Sequence, residues 1–361
     1  MQYLEMRACG VLLWAFTALS STTLSAEPVS FVQELVGDPM IPGAVLSWAT
    51  ADQLQVVVAG TRIDGQDAPI DRDDLWHLGA ITKSMTATVA ARIVEAGLIS
   101  WETTIGFRLA AIASEIRPEY FDVTLEELLS HVSGLPADLG MNDRVRLSGD
   151  ADEYVDRANY VRTILSGEPE GNRDEYLYSN AGYVVVALML EEATGERWET
   201  LMQTHLFEPL GMDSAGFGAP LGDQPQGHRV GLLGLLRPVA HGRRADNIPA
   251  LGPAGRVHMS AEDVLVYLRA HLLRPDWYLS EATWMQLHSP MPETGHALGW
   301  SVTDDGRLRH LGSNTLWYAQ VWVDPPARRV VFVAVNSGAV DAVVSLVDDV
   351  ARRMLDMHTS P

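Results

Sequence analysis

The sequence predicts a mixed α/β fold: an antiparallel sheet drawn from both ends of the chain, flanked by helices, with an inserted all-helical lobe. Three observations lead there. Two β-branched runs stand near the N-terminus, a helix-patterned stretch fills the middle, and further strand-like runs precede a last helix. With 361 residues, 47% of them hydrophobic, the chain can build a large core or two lobes sharing a cleft.

The first segment reads as an export signal. Arg7 gives a weakly positive start, residues 8–19 are apolar, and small residues run up to Ser25-Ala26 before Glu27-Pro28. The apolar run is short for a membrane span. Cleavage after residue 26 leaves 27–361 as the mature domain and removes Cys9, the only cysteine, so disulfides and thiol chemistry drop out. The expectation is a periplasmic or secreted protein with no membrane role in its mature form.

Phe31 to Val36 reads as a short helix, and Ala44–Ala49 with Leu54–Ala59 as a strand pair. Asp71-Arg72-Asp73-Asp74 reads as a solvated loop. Ile81 to Ala96 is helical by composition, with Gly97 as its stop. Thr124-Leu125-Glu126-Glu127 is a capping-box pattern opening a short helix up to His131, and Ser133-Gly134-Leu135-Pro136 breaks it.

The valine run in Asn180 to Ala193 suits a buried strand, but the length and the alanines favour a helix. Ser260 caps a helix to Leu273 whose first turn is acidic. Strands are expected at Ala297–Val302, Leu308–Leu311, Leu316–Val323 and Val330–Val335, then a helix from Ala342 to Met357. Residues 27–108 and 291–361 would form the α/β lobe and 109–290 the helical lobe, with the Ile81–Ala96 helix at the seam. A cleft between lobes is a natural substrate site.

A net charge of −21 repels phosphate backbones and anionic headgroups, which argues against nucleic-acid and membrane-surface roles. His205, His228, His241, His258 and His296 lack metal-ligand spacing, and no His-Glu-x-x-His occurs, so no metal site is expected. His131, ending a capped helix beside a turn, reads as structural.

Chemistry concentrates in three short segments. His77-Leu78-Gly79-Ala80-Ile81-Thr82-Lys83 heads the long helix, and positions three apart share a face, so the Lys83 chain reaches toward residue 80. Tyr178-Ser179-Asn180 stands just before another helix, and His310-Leu311-Gly312-Ser313 lies in a strand, where a glycine permits close approach. Taken singly, these are a solvated lysine, a packed tyrosine and an ordinary strand.

In this order, the three resemble the motifs of serine hydrolases in the class C β-lactamase and penicillin-binding protein superfamily. Those motifs are Ser-x-x-Lys, Tyr-x-Asn and Lys-Thr-Gly-Ser, the last being His-x-Gly in many esterases and aminopeptidases of the fold. Val123 to Pro136 and Phe207-Glu208-Pro209-Leu210-Gly211-Met212 resemble its connecting segments, and the likeness runs from about residue 40 to 350.

The resemblance implies a β-lactamase/transpeptidase-like fold without a cofactor, acting on a small-molecule or short-peptide substrate. It also implies a serine nucleophile at position 80, with Lys83 and Tyr178 as the base pair, the ammonium stabilising a phenolate. Asn180 would orient the substrate amide, and His310, Gly312 and Ser313 would form the third motif. The backbone amides of residues 80 and 313 would form the oxyanion hole. A histidine only partly charged near neutrality weakens the hold on a lactam carboxylate. That points to amide bonds of short linear or D-residue-containing peptides, or to esters.

Ala80 departs from the pattern. A methyl group cannot attack a carbonyl, so the chain as it stands is expected to be inactive. It is either a hydrolase with its nucleophile replaced or a natural non-catalytic binder of peptide or peptidoglycan fragments. The retention of Lys83, Tyr178, Asn180, His310 and Gly312 favours the first. Thr82 and Ser84 have no lysine three residues on and are poor substitutes.

Overall fold

A computed structural model describes residues 26–147, 152–242 and 245–357; the expected export segment lies outside them, apart from its last residue. The N-terminal helix α1 (Ala26–Gly37) is longer than expected and leads into β1 (Gly43–Ala49) and β2 (Leu54–Gly60). The chain returns to the same sheet with β3 (Ser301–Val302), β4 (Leu308–Ser313), β5 (Tyr318–Asp324) and β6 (Arg329–Val335). The order across the sheet is β2-β1-β6-β5-β4-β3, every pair antiparallel.

Alternation sorts the side chains of β6 into two cores. Val331, Val333 and Val335 join Phe31, Val32 and Leu35 of α1 and the apolar stripe Val343, Val347, Val350 and Met354 of α5 (Val340–Asp356). Val330, Phe332 and Ala334 join the larger core on the other face. Covered on both sides, β5 and β6 are buried at every position, which explains their continuous valine and aromatic content.

Helix α2 (Thr82–Glu95) follows a single 3₁₀ turn, Gly79–Ile81, and lies at the seam, buried nearly all round. It ends ahead of Gly97, whose φ of +74° suits a helix stop. Helix α3 (Asn180–Thr194) has Ser179 as N-cap and Gly195 in the left-handed region as C-cap, so length and alanines outweigh the valine run. The capping box at Thr124 is formed reciprocally with Glu127.

Three expectations are corrected. The middle of the chain is not all-helical: strands at Gly216–Phe217, His228–Val230, Leu236–Pro238 and Val257–Ser260 lie within 109–290. Val257–Ser260 sits between Leu75–His77 and Gly216–Phe217 in a small sheet, and α4 (Ala261–Leu273) packs on β1, β5 and β6 of the large one. The stretch Ala297–Val302 pairs as a strand only at its end, because Gly299 turns at φ +79° against α2, where a Cβ would lie 2.8 Å from the Cα of Ser84. The loop at 71–74 is not wholly solvated: Asp74 is buried, paired to Arg62 at 2.8 Å, and accepts from the Asp71 amide.

Candidate active site

The site forms where the turn before α2, the N-terminus of α3 and the end of β4 meet. Gly79 holds φ +50°, and a Cβ there would lie 2.4 Å from the Ser313 nitrogen. A Cβ on Gly312 would lie 1.9 Å from the Leu78 oxygen and 3.1 Å from the Ala80 nitrogen. The two backbones therefore touch, and only glycine fits at either place. This contact brings residues 80 and 313 together on the lining of a cavity of about 250 Å³.

Ala80, Tyr178, Asn180 and Ser313 line that cavity. Lys83 lies beneath it, fully buried, donating from Nζ to Asn180 Oδ1 and to the Ala254 carbonyl, each at 2.7 Å. The amine also sits 4.8 Å from the Tyr178 ring centroid. Burial lowers its pKa to about 7, and the nearby Asp138 carboxylate opposes the drop. Lys83 thus has an accessible neutral form near neutrality.

The surroundings of Lys83 and Tyr178 bear on how the two share their protons. Burial raises the Tyr178 pKa, and Tyr176 adds to the rise, so the phenol keeps its proton. With 36% of its surface open, contact with solvent moderates this shift without inverting its direction. An ammonium–phenolate pair is the arrangement that these surroundings disfavour. Near neutrality the amine, poised at about 7, is divided between its two forms beside a phenol that stays protonated.

His310 lies deeper than the cavity wall. It is buried and neutral, with its pKa lowered to about 3 by desolvation, with Lys83 adding, and its Nδ1 lies 2.8 Å from the Leu311 carbonyl. The structure brings it close to Lys83 but leaves it out of the cavity lining. His131, left-handed at φ +64°, accepts from the Ser179 amide at 3.1 Å through Nδ1, and its ring lies 4.6 Å from that of Tyr178. It fixes the backbone between Tyr178 and Asn180. Thr82 Oγ1 accepts from the Val257 amide, and Ser84 Oγ donates to the Ile81 carbonyl, so both hydroxyls are buried away from the cavity.

Sequence reasoning missed Asp138, Asn247, Asn314 and Thr315, which complete the walls. Asp138 accepts from the Tyr160 hydroxyl at 2.7 Å and from Asn180 Nδ2 at 3.3 Å. Asn180 is thereby oriented from both ends, its oxygen on Lys83 and its nitrogen on Asp138. Nothing in the Pro136-Ala137-Asp138 turn announces this. Composition did hold one signal: Lys83 is the only lysine among 26 basic residues, the rest being arginine. Among the described residues, no group of three or more His, Cys, Asp or Glu side chains is arranged to hold a metal ion. No helix there is long and apolar enough to cross a membrane.

Residues 29–350 match the model of the Beta-lactamase family. Penicillin-binding protein 4 of Amycolatopsis lactamdurans is 26% identical over 337 residues, covering 87% of this chain and 85% of that protein. Two further curated relatives are longer, the matches spanning 31% and 34% of their lengths. Among solved structures, EstCE1, described as a hydrolase with promiscuous acyltransferase activity, has a TM-score of 0.76 at 17% identity, covering 90% of this chain and 98% of that one. The D-amino acid amidase from Ochrobactrum anthropi SV3 has a TM-score of 0.71 at 16% identity, covering 91% and 98%. At such identities the structures speak for the fold alone, and the family rests on the model match: the chain belongs to the Beta-lactamase family, a family of serine hydrolases, peptidases and β-lactamases.

Proposed function

We propose that this chain is the nucleophile-less form of an exported serine hydrolase that opens amide bonds of short linear or D-residue-containing peptides through an acyl-enzyme. One observation carries the reading. A lysine whose amine titrates at about 7 lies one helical turn from position 80, where the backbone around residue 80 meets that around residue 313.

With serine at position 80, Lys83 Nζ takes the hydroxyl proton as the oxygen attacks the substrate carbonyl. The oxyanion forms against the amides of residues 80 and 313. As the carbon–nitrogen bond breaks, the leaving amine receives a proton from the Tyr178 hydroxyl, which is replenished from Lys83. Water then attacks the acyl carbon, giving a proton to the same pair; as the bond to the serine oxygen breaks, the pair returns that proton to the oxygen and the acid is released. Asn180 donates no proton; held by Lys83 and Asp138, it lines the cavity where the substrate amide lies. A neutral His310 offers no cation to a substrate carboxylate, which favours peptides and esters over β-lactams.

The test is Ala80→Ser, assayed on short peptides, anilides and aryl esters. Removing the nucleophile of a serine hydrolase costs on the order of 10⁶ in kcat, so turnover should appear only in the serine form. Ala80 itself favours a second reading, a natural non-catalytic binder of peptide or peptidoglycan fragments. Equal rates in both forms refute the role of position 80. Peptide binding without turnover in the serine form supports the binder.

A further inference from the structure

We infer that Asp246, acting through His77 and Asn314, is the positioning residue that holds both oxyanion donors in register; this rests on the hydrolase reading above. Asp246 is all but buried behind the cavity, and one of its oxygens serves both arms.

The first arm runs to residue 80. His77 Nε2 lies 2.9 Å from Asp246 Oδ1, while its Nδ1 accepts from the Gly79 amide at 3.1 Å. Nδ1 can accept only when unprotonated, so the carboxylate fixes the proton on Nε2 and with it the tautomer that the turn needs. The indole of Trp317 stacks on the imidazole, centroids 5.4 Å apart and planes 21° apart, so the ring cannot swing away.

The second arm runs to residue 313. Asn314 Nδ2 donates to the same Asp246 oxygen at 3.3 Å and to the Ala245 carbonyl at 3.2 Å. Its Oδ1 accepts from the amides of Leu316 and Trp317 at 3.1 and 3.2 Å. The backbone just beyond Ser313 is thus tied to the same carboxylate as the backbone just before Ala80. Asn247 and Arg256 anchor that carboxylate, the first by its amide to Oδ1 at 2.7 Å and the second by Nε to Oδ2 at 3.1 Å. Two donors stabilise a developing oxyanion only when both are aimed at the same point, and small errors in aim are costly.

The test uses His77→Phe, which keeps the stacked ring but removes the acceptor, and His77→Asn, whose Oδ1 can take the place of Nδ1. Asp246→Ala is the third variant, and circular dichroism and melting identify any that fail to fold. In the Ala80→Ser background, single-turnover acylation by an aryl ester should fall at least about tenfold in His77→Phe and Asp246→Ala. The substrate dissociation constant should change less than about twofold, since ground-state binding draws little on oxyanion geometry. His77→Asn should recover most of the rate. The acyl-enzyme carbonyl stretch should move to higher frequency in the two defective variants.

A second measurement does not depend on turnover. In the Ala80 chain itself, the amide resonances of Ala80 and Ser313 should shift in His77→Phe and return in His77→Asn, with His77 in the Nε2–H tautomer. Unmoved amides, an Nδ1–H tautomer, or a loss confined to substrate binding overturns the inference. Inactivity of Ala80→Ser alone would count against the hydrolase reading and leave this resonance test to decide the positioning.

Discussion

Because Lys83 is the only lysine in the chain, its titration can be watched without interference. Burial takes the amine from 10.5 to about 7, a preference for the neutral form of roughly 5 kcal/mol. The sign for stability follows from proton counting. Unfolded, the amine keeps its proton up to about pH 10.4; folded, it releases it near 7, so the unfolded state binds more protons in between. This contribution is full above the unfolded value and is lost as pH falls through the folded one. From pH 7 to 9 the chain should gain about 2 kcal/mol from this group. Two assays apply: the Cε resonance of ¹³C-lysine-labelled protein followed from pH 5 to 11, and urea unfolding at pH 7, 8 and 9 beside Lys83→Met. The Met variant should lack the gain, and taking the difference cancels all other titrating groups. A midpoint near 10.5, or parallel stability curves for the two proteins, would refute the argument that desolvation outweighs Asp138.

Three further outcomes are expected. In Ala80→Ser, the acylation rate should rise with pH through about 7 as Lys83 loses its proton, whereas a flat stopped-flow profile between pH 5 and 9 would remove the lysine as base. Tyr178→Phe should slow an anilide about 10²-fold and a matched aryl ester much less, because a phenolate departs without a proton; equal losses would point to a different donor. Arg157, buried with hydrogen bonds to Glu191 and Glu199, holds α3 to its neighbours. Arg157→Ala should cost about 3–5 kcal/mol in urea unfolding by leaving buried carboxylates unpaired, and a loss below 1 kcal/mol would mean that water replaces the guanidinium.

The strand pairs, the seam helix and the three motif segments were legible because each is written locally. A β-branched run, a capping box or a glycine stop depends on neighbours in sequence. Asp138 and Asn247 were not legible, since they reach the cavity from irregular stretches without a repeating pattern, and Asp138 is held by Tyr160 and Asn180, well along the chain. Charge states were least legible of all. The Lys83–Tyr178 pair was read with ordinary pKa values in mind, but burial depth decides which partner holds the proton, and depth is a property of packing. The neutrality of His310 is likewise set by the layers around β4. The strand expected at Ala297–Val302 shortens to Ser301–Val302 because Gly299 answers to its contact with α2 and not to strand propensity.

The mutual contact of Gly79 and Gly312 also governs when the site comes into being. Its halves are separated by more than two hundred residues, and the sheet that carries one of them pairs β1 with β6 near the other end of the chain. Contacts so distant along the sequence close late, after the loop between them has been ordered. A chain emerging N-terminus first therefore cannot close this contact until β4 arrives, and a fragment ending before β4 cannot form it. The cavity walls contributed by residues 80 and 313 thus belong to the finished molecule, and a nascent or truncated chain carries the first two motifs without their meeting place.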